Sequence, residues 1–560
     1  MLLQHRYTHI PKAGNETLKL TTWDAFGYYM YLPSVVIYDD YKELNWLPQK
    51  EEQYHLTGGG LYQAGKAKNG NYVYKYLGGV ALLESPFFVV AHRLAPYLGY
   101  SQDGFSAPYQ YAIAIAALFY AFLGIFVLRR VLKEYFDDGI VAITILLLCL
   151  ATNFIQYVAV DAAMSHVYIF PLYSLVLYTT MRWHQRPSAF IAAATGYIIG
   201  LATICRPTEA VMLFIPLLWN TYNKDIAKAK WRMVKANRPH VVAAIVGGVA
   251  GILPQLIYWH SASGQWIYDV GSAWDFLTPH LQVLVGWEKG WLIYTPVTIF
   301  FIAGLFYLKK YPLRNSVLWF CILNIYIIIA WRDWHYGGSY STRALVQSYP
   351  VFAFALAAFV QHIRTSSWRW LFYIAGCYLI GLNLFQLEQY AKTIIHYRDM
   401  NRLYYGAVYL DTDPTPLDMS LLDNDEVLHN ESGYNTTVLA QADEETPVKL
   451  VEGEKGIICK KTLHTDNAQD TWIKAKCSVK VKDGFWEGYL NIQLQKGDSV
   501  KTARARLANP ISRNQQWNSY ELHMHVPDYF SDGTVTVFLN RDISTFDADI
   551  RNAEIILLTE

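Results

Sequence analysis

Charge is what this sequence has least of. Only 17% of its 560 residues are charged while 53% are hydrophobic, whereas charged residues make up about a quarter of a typical soluble domain. That scarcity excludes a chain that keeps all of its surface in water, and the apolar excess has to be buried in lipid. A net charge of +1 gives no argument for a nucleic-acid partner. A Gly-rich nucleotide loop, a Ser-centred elbow and a zinc-type Cys/His pattern are also missing, which removes the usual signatures of nucleotide, acyl-transfer and zinc chemistry. No internal repeat or low-complexity tract is present, and no signal peptide precedes the polar start of the chain. Cysteines number six. Cys149, Cys205, Cys321 and Cys377 fall in or beside apolar segments and read as small packing residues. Cys459 and Cys477 lie in the polar tail, where a disulfide is open to them if that tail is outside the cytoplasm.

What is present divides the chain. The mean hydropathy of +0.12 is low for a pure bundle of spans, so polar domains dilute the apolar part. Residues 1–106 are polar and aromatic, and read as an outer first loop with interfacial helices; none of their runs reaches the roughly twenty apolar residues that a span needs. The stretch from Tyr76 to Leu98 carries Glu84, Pro86, His92 and Arg93, which predicts an interfacial or re-entrant helix. Residues 107–386 hold apolar segments at about 108–128, 139–157, 164–181, 188–204, 207–221, 240–259, 291–308, 315–330, 344–360 and 369–386, ten candidate spans. Residues 387–447 read as an amphipathic helix followed by an acidic linker. Residues 448–560 alternate apolar and polar over short runs such as Gly488 to Leu494 and Thr534 to Leu539, the pattern of a small β-sandwich. The predicted class is a polytopic α-helical membrane protein with a C-terminal β-sandwich domain.

Lysine and arginine gather on the cytoplasmic side of membrane proteins, and here every second connection is basic: Arg129 to Lys133, Arg182 and Arg186, Lys224 to Arg238, Lys309 to Arg314, and Arg364 with Arg369. The outer face then receives residues 1–106, the loop near Asp161, Arg206, the loop 260–290, the loop 331–343 and everything after 387. An outer N-terminal region needs a preceding span or signal to carry it across. Met1-Leu2-Leu3 reads as the remnant of one, and the expectation is that the natural reading frame begins upstream with a further membrane helix.

Polar clusters concentrate on that face. Asp24, in Thr21-Thr22-Trp23-Asp24-Ala25-Phe26-Gly27, reads as a catalytic base or, more plainly, as a turn or helix cap. Lys75, beside Tyr76, is placed to hold a phosphate at the interface with tyrosine hydroxyls helping, or else to snorkel. Asp161 and His166 put a carboxylate and an imidazole at the outer edge of a membrane helix, where ionisable groups are costly and suggest a site. Asp161 suits a second acid–base or acceptor-binding role; a helix cap is its other explanation. Arg206, before Pro207, ends a helix and either grips phosphate or pairs with Glu209. The most specific cluster runs from Trp331 through Trp334, His335, Gly337 and Gly338 to Arg343. Glycines admit a ligand close to the backbone, tryptophans offer faces to sugars, and Arg343 binds phosphate bidentately. An interfacial aromatic belt explains the tryptophans but not the glycines with Arg343. The loop 260–290 adds His260, Trp266, Tyr268, Asp269, Trp274, Asp275, Trp287, Glu288 and Lys289, a content that suits a carbohydrate acceptor. Asn15-Glu16-Thr17 and Asn435-Thr436-Thr437 match glycosylation sequons, which arise often by chance.

Taken together, Asp24, Lys75 with Tyr76, Arg206 with Pro207, and Gly337-Gly338 through Arg343 resemble the pattern of the GT-C superfamily of integral-membrane glycosyltransferases. The branch is that of protein O-mannosyltransferases and lipid A aminoarabinose transferases, and the likeness covers about residues 20–410. Asp161, His166 and the helix near Tyr404-Tyr405 resemble features of relatives in Bacteroidetes-like bacteria. Two departures stand out: Asp24 is single where protein mannosyltransferases carry an acidic pair, and the family's first membrane helix is missing. The resemblance implies an inverting transfer of a hexosyl or pentosyl group from a polyprenyl-phosphate donor to a glycan, lipid or protein acceptor at the outer face of a bacterial inner membrane. In it Asp24 is the base, with Asp161 in support. Lys75, Tyr76, Arg206 and Arg343 hold the donor phosphate, while His166, Trp331, Trp334, His335, Gly337 and Gly338 face acceptor or sugar. It implies no metal and no cofactor beyond the lipid-linked donor. The tail domain resembles carbohydrate-binding β-sandwiches, with Trp517 and residues 526–540 its most suggestive part. A flippase for lipid-linked sugars and a non-catalytic glycan-binding scaffold are the competing classes. A transporter favours ionisable groups near the midplane and paired inverted halves, and the sequence shows neither.

Overall fold

A computed structural model describes residues 12–13, 17–465, 470–541 and 545–560. Met1-Leu2-Leu3, and Asn15 and Glu16 of the first sequon, lie outside them. The chain divides into two compact units, 1–384 and 385–560.

The first unit is helical. Every expected apolar segment contains helix, but only Ala107–Leu132, Arg238–Ser263, Arg343–Arg364 and Arg369–Ala391 are, among the described residues, long and apolar enough to cross a membrane by themselves. Asp138–Leu150, Ala189–Cys205, Pro207–Leu218, Thr298–Lys309 and Arg314–Ile329 are apolar but shorter. The Ala107–Leu132 helix shows the logic. Pro108 starts it and Arg129 and Arg130 sit in its last turn, where cations suit the carbonyl end. Tyr109, Ile113, Ala117, Ala121, Gly124 and Leu128 face inward, while Ile115, Phe119, Phe122 and Phe126 stand bare on the other side, a surface that suits lipid and not water. Ser165–Gln185, by contrast, is buried along most of its length and forms the centre of the unit.

Two expected spans are broken, each for a visible reason. The 139–157 segment splits into Asp138–Leu150 and Phe154–Ala159, and the Asn153 amide at the break donates to the carbonyls of Tyr340 and Thr342 while its oxygen accepts from Tyr349 Oη. The 291–308 segment breaks near Pro296, between Trp291–Tyr294 and Thr298–Gly304, because proline lacks the N–H that a continuing helix requires. Ahead of the bundle lie the short helices Asp24–Tyr29, Tyr31–Val36 and Leu47–Tyr54 and the hairpin Ala64–Lys66 with Tyr72–Tyr74, followed by the Gly79–Leu94 helix in the expected interfacial stretch.

In the second unit, one antiparallel sheet has the order Ser499–Arg506, Gly488–Lys496, Thr534–Arg541, Gly456–Thr462. The other runs Trp517–His525, Thr471–Asp483, Phe546–Thr559, Asn435–Ala442, with Thr446–Leu450 also on Phe546–Thr559. Both contribute to one core, in which Leu490, Ile492 and Leu494 of one strand sit with Val535, Val537 and Leu539 of its neighbour, the period-2 alternation that marks a strand with one buried face. Three expectations are corrected here. The sheets begin at Asn435, inside the expected linker, because Asn435–Ala442 is an edge strand whose exposed residues carry little apolar signal. Cys459 and Cys477 are free buried thiols, one in each sheet. One face of the Trp517 ring is covered by the Arg551 guanidinium 4.1 Å from its centroid and so is not open to a sugar. Glu431, Glu521 and His523 lie close enough together to hold a metal ion, but Lys474 already pairs with both carboxylates. His523 Nδ1 accepts from the Leu428 N–H, so its remaining nitrogen carries the proton in the neutral ring.

Glycines set the closest helix crossing. A Cβ on Gly200 would lie 2.3 Å from Gly248 O, and one on Gly247 would lie 2.1 Å from Ala193 O, so Ala189–Cys205 and Arg238–Ser263 touch backbone to backbone. Gly200→Leu is expected to lower the thermal stability of the detergent-solubilised protein by about 1–3 kcal/mol. Gly381→Leu, at a position open to 4 Å, leaves it unchanged. Equal unfolding temperatures for the two variants would show that this crossing is not tight.

Candidate active site

Asp24 is the first residue of the Asp24–Tyr29 helix, and the N-cap position is filled by Trp23, whose side chain makes no cap hydrogen bond. It is aimed by its neighbours. Trp23 has φ of +56°, a strained conformation for a side chain of that size. Its N–H donates to Leu56 O, its carbonyl accepts from Gln63 Nε2, and its ring lies where a Cβ on Gly58 would sit, 2.4 Å away. The carboxylate that results accepts three hydrogen bonds. Oδ1 accepts from Tyr62 Oη at 2.9 Å and Tyr76 Oη at 2.6 Å, and Oδ2 accepts from Arg343 Nη2 at 2.5 Å. Gly27 makes this possible, since a Cβ there would lie 2.1 Å from the Tyr76 ring. Burial alone would raise the carboxyl, but the Arg343 charge and the hydrogen bonds from Tyr76, Arg343 and Tyr62 outweigh it and hold it at about 2.

Arg343 is held as firmly. The loops 260–290 and 331–343 are zipped by the Trp274–Trp331 bridge and by the N–H groups of Asp275, His280 and Arg332. Lys289, buried, donates to Gly337 O at 2.6 Å, and Thr342 Oγ1 donates to Val283 O at 2.6 Å. Backbone with positive φ recurs at Tyr336, Gly337 and Ser341. At Gly337 a Cβ would stand 3.4 Å from Arg343 Nη2 and 3.9 Å from Asp24 Oδ2, so glycine is needed there for both conformation and space.

These groups line a cavity of about 440 Å³ with Lys75, Tyr76, Arg206, His166, Trp331, Tyr268, Asp269, Trp274 and Asp333 among its walls. Arg206 makes no ion pair with Glu209. That carboxylate instead accepts from Tyr173 Oη and from Gln347 Nε2 at 3.1 Å. The second bond orients the Gln347 amide so that its Oε1 faces His166 Nδ1 at 2.8 Å. Nδ1 therefore carries the proton, and the buried Nε2 keeps a lone pair with no partner among the described residues. The 3.5 Å approach of Arg206 Nη1 to Nδ1 is donor against donor, a contact and not a bond.

The structure thus brings Asp24, Lys75, Tyr76, Arg206, Arg343, His166, Trp331 and Gly337 to one cavity and leaves the other expected residues outside its lining. Asp161 accepts from Gln156 Nε2 at 3.3 Å, five residues away in the same bend. Trp334 and His335 stack on each other, and His335 meets Glu288 at 2.9 Å. Gly338 does not reach the wall. Tyr62, Gln347 and Tyr173 are the residues sequence reasoning missed, and Glu209, expected to pair with Arg206, bonds to Tyr173 and Gln347 instead.

No protein-family profile and no curated protein matches the chain. Among solved structures, it is similar to Cupriavidus metallidurans ArnT bound to undecaprenyl phosphate, at 13% identity over 73% of this chain and 67% of that one, TM-score 0.44. It is similar to the Archaeoglobus fulgidus oligosaccharyltransferase AglB in complex with an inhibitory peptide and a dolichol-phosphate, at 13% identity over 73% and 56%, TM-score 0.39. It is also similar to the arabinosyltransferase EmbB of Mycobacterium smegmatis, at 10% identity over 86% and 60%, TM-score 0.30. The chain spans between 56 and 67% of the length of these structures. Its class is that of a polytopic α-helical protein, with four helices among the described residues long and apolar enough to cross a membrane, followed by a C-terminal β-sheet domain.

The Asp24 carboxyl titrates below its ordinary 3.8, so its contribution to stability is full above about pH 4 and is lost as the pH falls through about 2. The expected contribution is about 2 kcal/mol. Thermal unfolding of wild type and Asp24→Asn in detergent should differ by a constant amount from pH 7 to about pH 4, and the gap should close toward pH 2; a gap that closes near pH 6 contradicts the pairing.

Proposed function

We propose that the protein is a membrane glycosyltransferase that moves a sugar from a polyprenyl-phosphate donor to a hydroxyl acceptor with inversion. The observation that carries this is one carboxylate, Asp24, in the same cavity wall as three cations, Arg343, Arg206 and Lys75. The acceptor oxygen forms a bond to the anomeric carbon as the bond from that carbon to the phosphate oxygen breaks. The proton passes to Asp24, and the phosphate leaves with its charge matched by the cations. Asp269 and Asp333 stand exposed at the rim with the rings of Trp274 and Trp331 nearby in the same wall; carboxylates there accept from sugar hydroxyls. His166 Nε2 supplies a further acceptor. We place this cavity at the outer face of a bacterial inner membrane, with the basic connections in the cytoplasm and the C-terminal domain, read as a sandwich, on the same side as the cavity.

Asp24 at about 2 is a weak base while Arg343 holds it. A donor phosphate gives Arg343 a second anion, weakens its hold on Asp24 and raises the basicity of the carboxylate at the moment it is needed. The test is transfer of a labelled sugar from polyprenyl-phosphate donors to a membrane glycan fraction by purified protein. Wild type should turn over, and Asp24→Asn should lose transfer by about 10²- to 10⁴-fold while still binding donor. Absence of donor binding in wild type overturns the reading, and donor movement across vesicle bilayers that is indifferent to Asp24→Asn points to a flippase.

A further inference from the structure

A second pair of cavities lies along the same helices, away from the Asp24 cavity. One is an apolar groove of about 520 Å³ between Ala189–Cys205 and Arg238–Ser263, lined largely by small and aliphatic side chains such as Ala192, Ile199, Ile245 and Val249. Its border on Arg238–Ser263 is bare: Val242, Ile245, Val246 and Val249 are all exposed. Toward the basic helix Lys224–Ala236 the groove turns polar, and the polar atoms there are unsatisfied. Thr180 Oγ1, Trp183 Nε1, His184 Nε2 and His240 Nδ1 are buried without a hydrogen-bond partner, and Thr180 is only 1% exposed. Lys230, 4% exposed, donates to Pro216 O and Leu217 O, which leaves its third N–H over. His184 Nδ1 donates to Thr180 O, so its Nε2 is an acceptor; Trp183 Nε1 and Thr180 Oγ1 are donors without a partner among the described residues, and a buried donor left unpaired is costly and asks for an acceptor.

Trp231 is common to this groove and to a second pocket of about 530 Å³ lined by Lys224, Lys228, Arg232 and Lys235. The helix that carries these cations has five of them and one carboxylate, Asp225. An apolar groove that shares Trp231 with a basic pocket and holds the unpartnered donors Trp183 Nε1 and Thr180 Oγ1 has the charge pattern of an amphiphile with an anionic head. We infer that this is a binding site for an anionic glycerophospholipid of the leaflet at the basic end of the bundle. One acyl chain lies along the groove on the face of the two helices, the phosphodiester meets Trp183 Nε1, Thr180 Oγ1 and Lys230, and the rest of the headgroup lies toward Lys228, Arg232 and Lys235, whose positive field disfavours a choline cation. Basic pockets between membrane helices select anionic lipids in this way. The site is separate from the donor cavity and does not depend on the transferase reading.

The test uses the full chain in detergent, with phosphatidylglycerol and phosphatidylcholine of matched acyl chains as probes and retained lipid counted by native mass spectrometry. Wild type should keep one phosphatidylglycerol in preference to phosphatidylcholine by about tenfold or more. Lys228→Gln with Arg232→Gln should abolish the preference while leaving phosphatidylcholine retention unchanged. Ile245→Trp should reduce both lipids alike by filling the slot; if that variant does not fold, the double variant decides alone. Equal retention of the two lipids by wild type, an undiminished preference in the double variant, or displacement of the bound lipid by undecaprenyl phosphate more readily than by phosphatidylglycerol would each overturn the site.

Discussion

The ion pair between Asp24 and Arg343 joins two points 319 residues apart and sets the demands that the surrounding chain has to meet. A buried pair of charges survives only when geometry and further hydrogen bonds offset the loss of water. Here those bonds come from Tyr62 and Tyr76 on one side, and Arg343 is fixed by a loop that Lys289, Thr342 and the Trp274–Trp331 bridge hold in place. Strained backbone flanks the pair on both sides, at Trp23 and at Tyr336 and Ser341. Strain of that kind persists only where packing overdetermines it, and the packing is explicit: Gly58 and Gly27 make room for the Trp23 and Tyr76 rings.

The pair also defines a resting state. Three donors hold the carboxylate, two on Oδ1 and one on Oδ2, which lowers its basicity and leaves one Oδ2 lone pair over. Arg206 and Lys75, in the same cavity, form no ion pair with a carboxylate among the described residues. An incoming phosphate therefore meets two available cations first and competes for Arg343 afterward. In the proposed reaction this ordering makes the base weak before the donor arrives and stronger once it has, which couples proton abstraction to occupancy of the phosphate subsite.

How much of this is legible in the sequence follows from how local each feature is. Lipid-facing helices need apolar residues around most of their circumference, so the segments from Ala107 to Arg364 announce themselves. In so apolar a chain the charges at Asp24, Lys75, Arg206 and Arg343 are conspicuous for the same reason. Asp161 was equally conspicuous; it bonds to Gln156 of the preceding Phe154–Ala159 helix and does not line the cavity, and nothing in its sequence surroundings distinguishes it from a carboxylate that does. Tyr62 and Gln347 gave no local sign, because their roles exist only once distant segments have packed, 38 residues apart for the Tyr62–Asp24 bond and 138 for the Gln347–Glu209 bond. The break at Asn153 was hidden likewise: its partners, Tyr340, Thr342 and Tyr349, come nearly two hundred residues later. Trp517 stood out in the tail domain by resemblance alone, and nothing near it in sequence reveals that Arg551 covers one of its faces.

The helical unit neutralises its buried cations in two different ways, and the difference has a kinetic meaning. Arg343 faces a full carboxylate, so any anion that binds there has to displace an internal competitor, and exchange is gated by the strength of that pair. Lys230 faces the Pro216 and Leu217 carbonyls at the end of the Phe214–Leu218 helix and the Trp231 ring, 5.1 Å away, and no carboxylate among the described residues. Dipoles of that sort compensate a cation without offering it a counter-charge, and an anion can join them without evicting anything. A site of the first kind suits a ligand that has to arrive, react and leave; a site of the second kind suits one that stays.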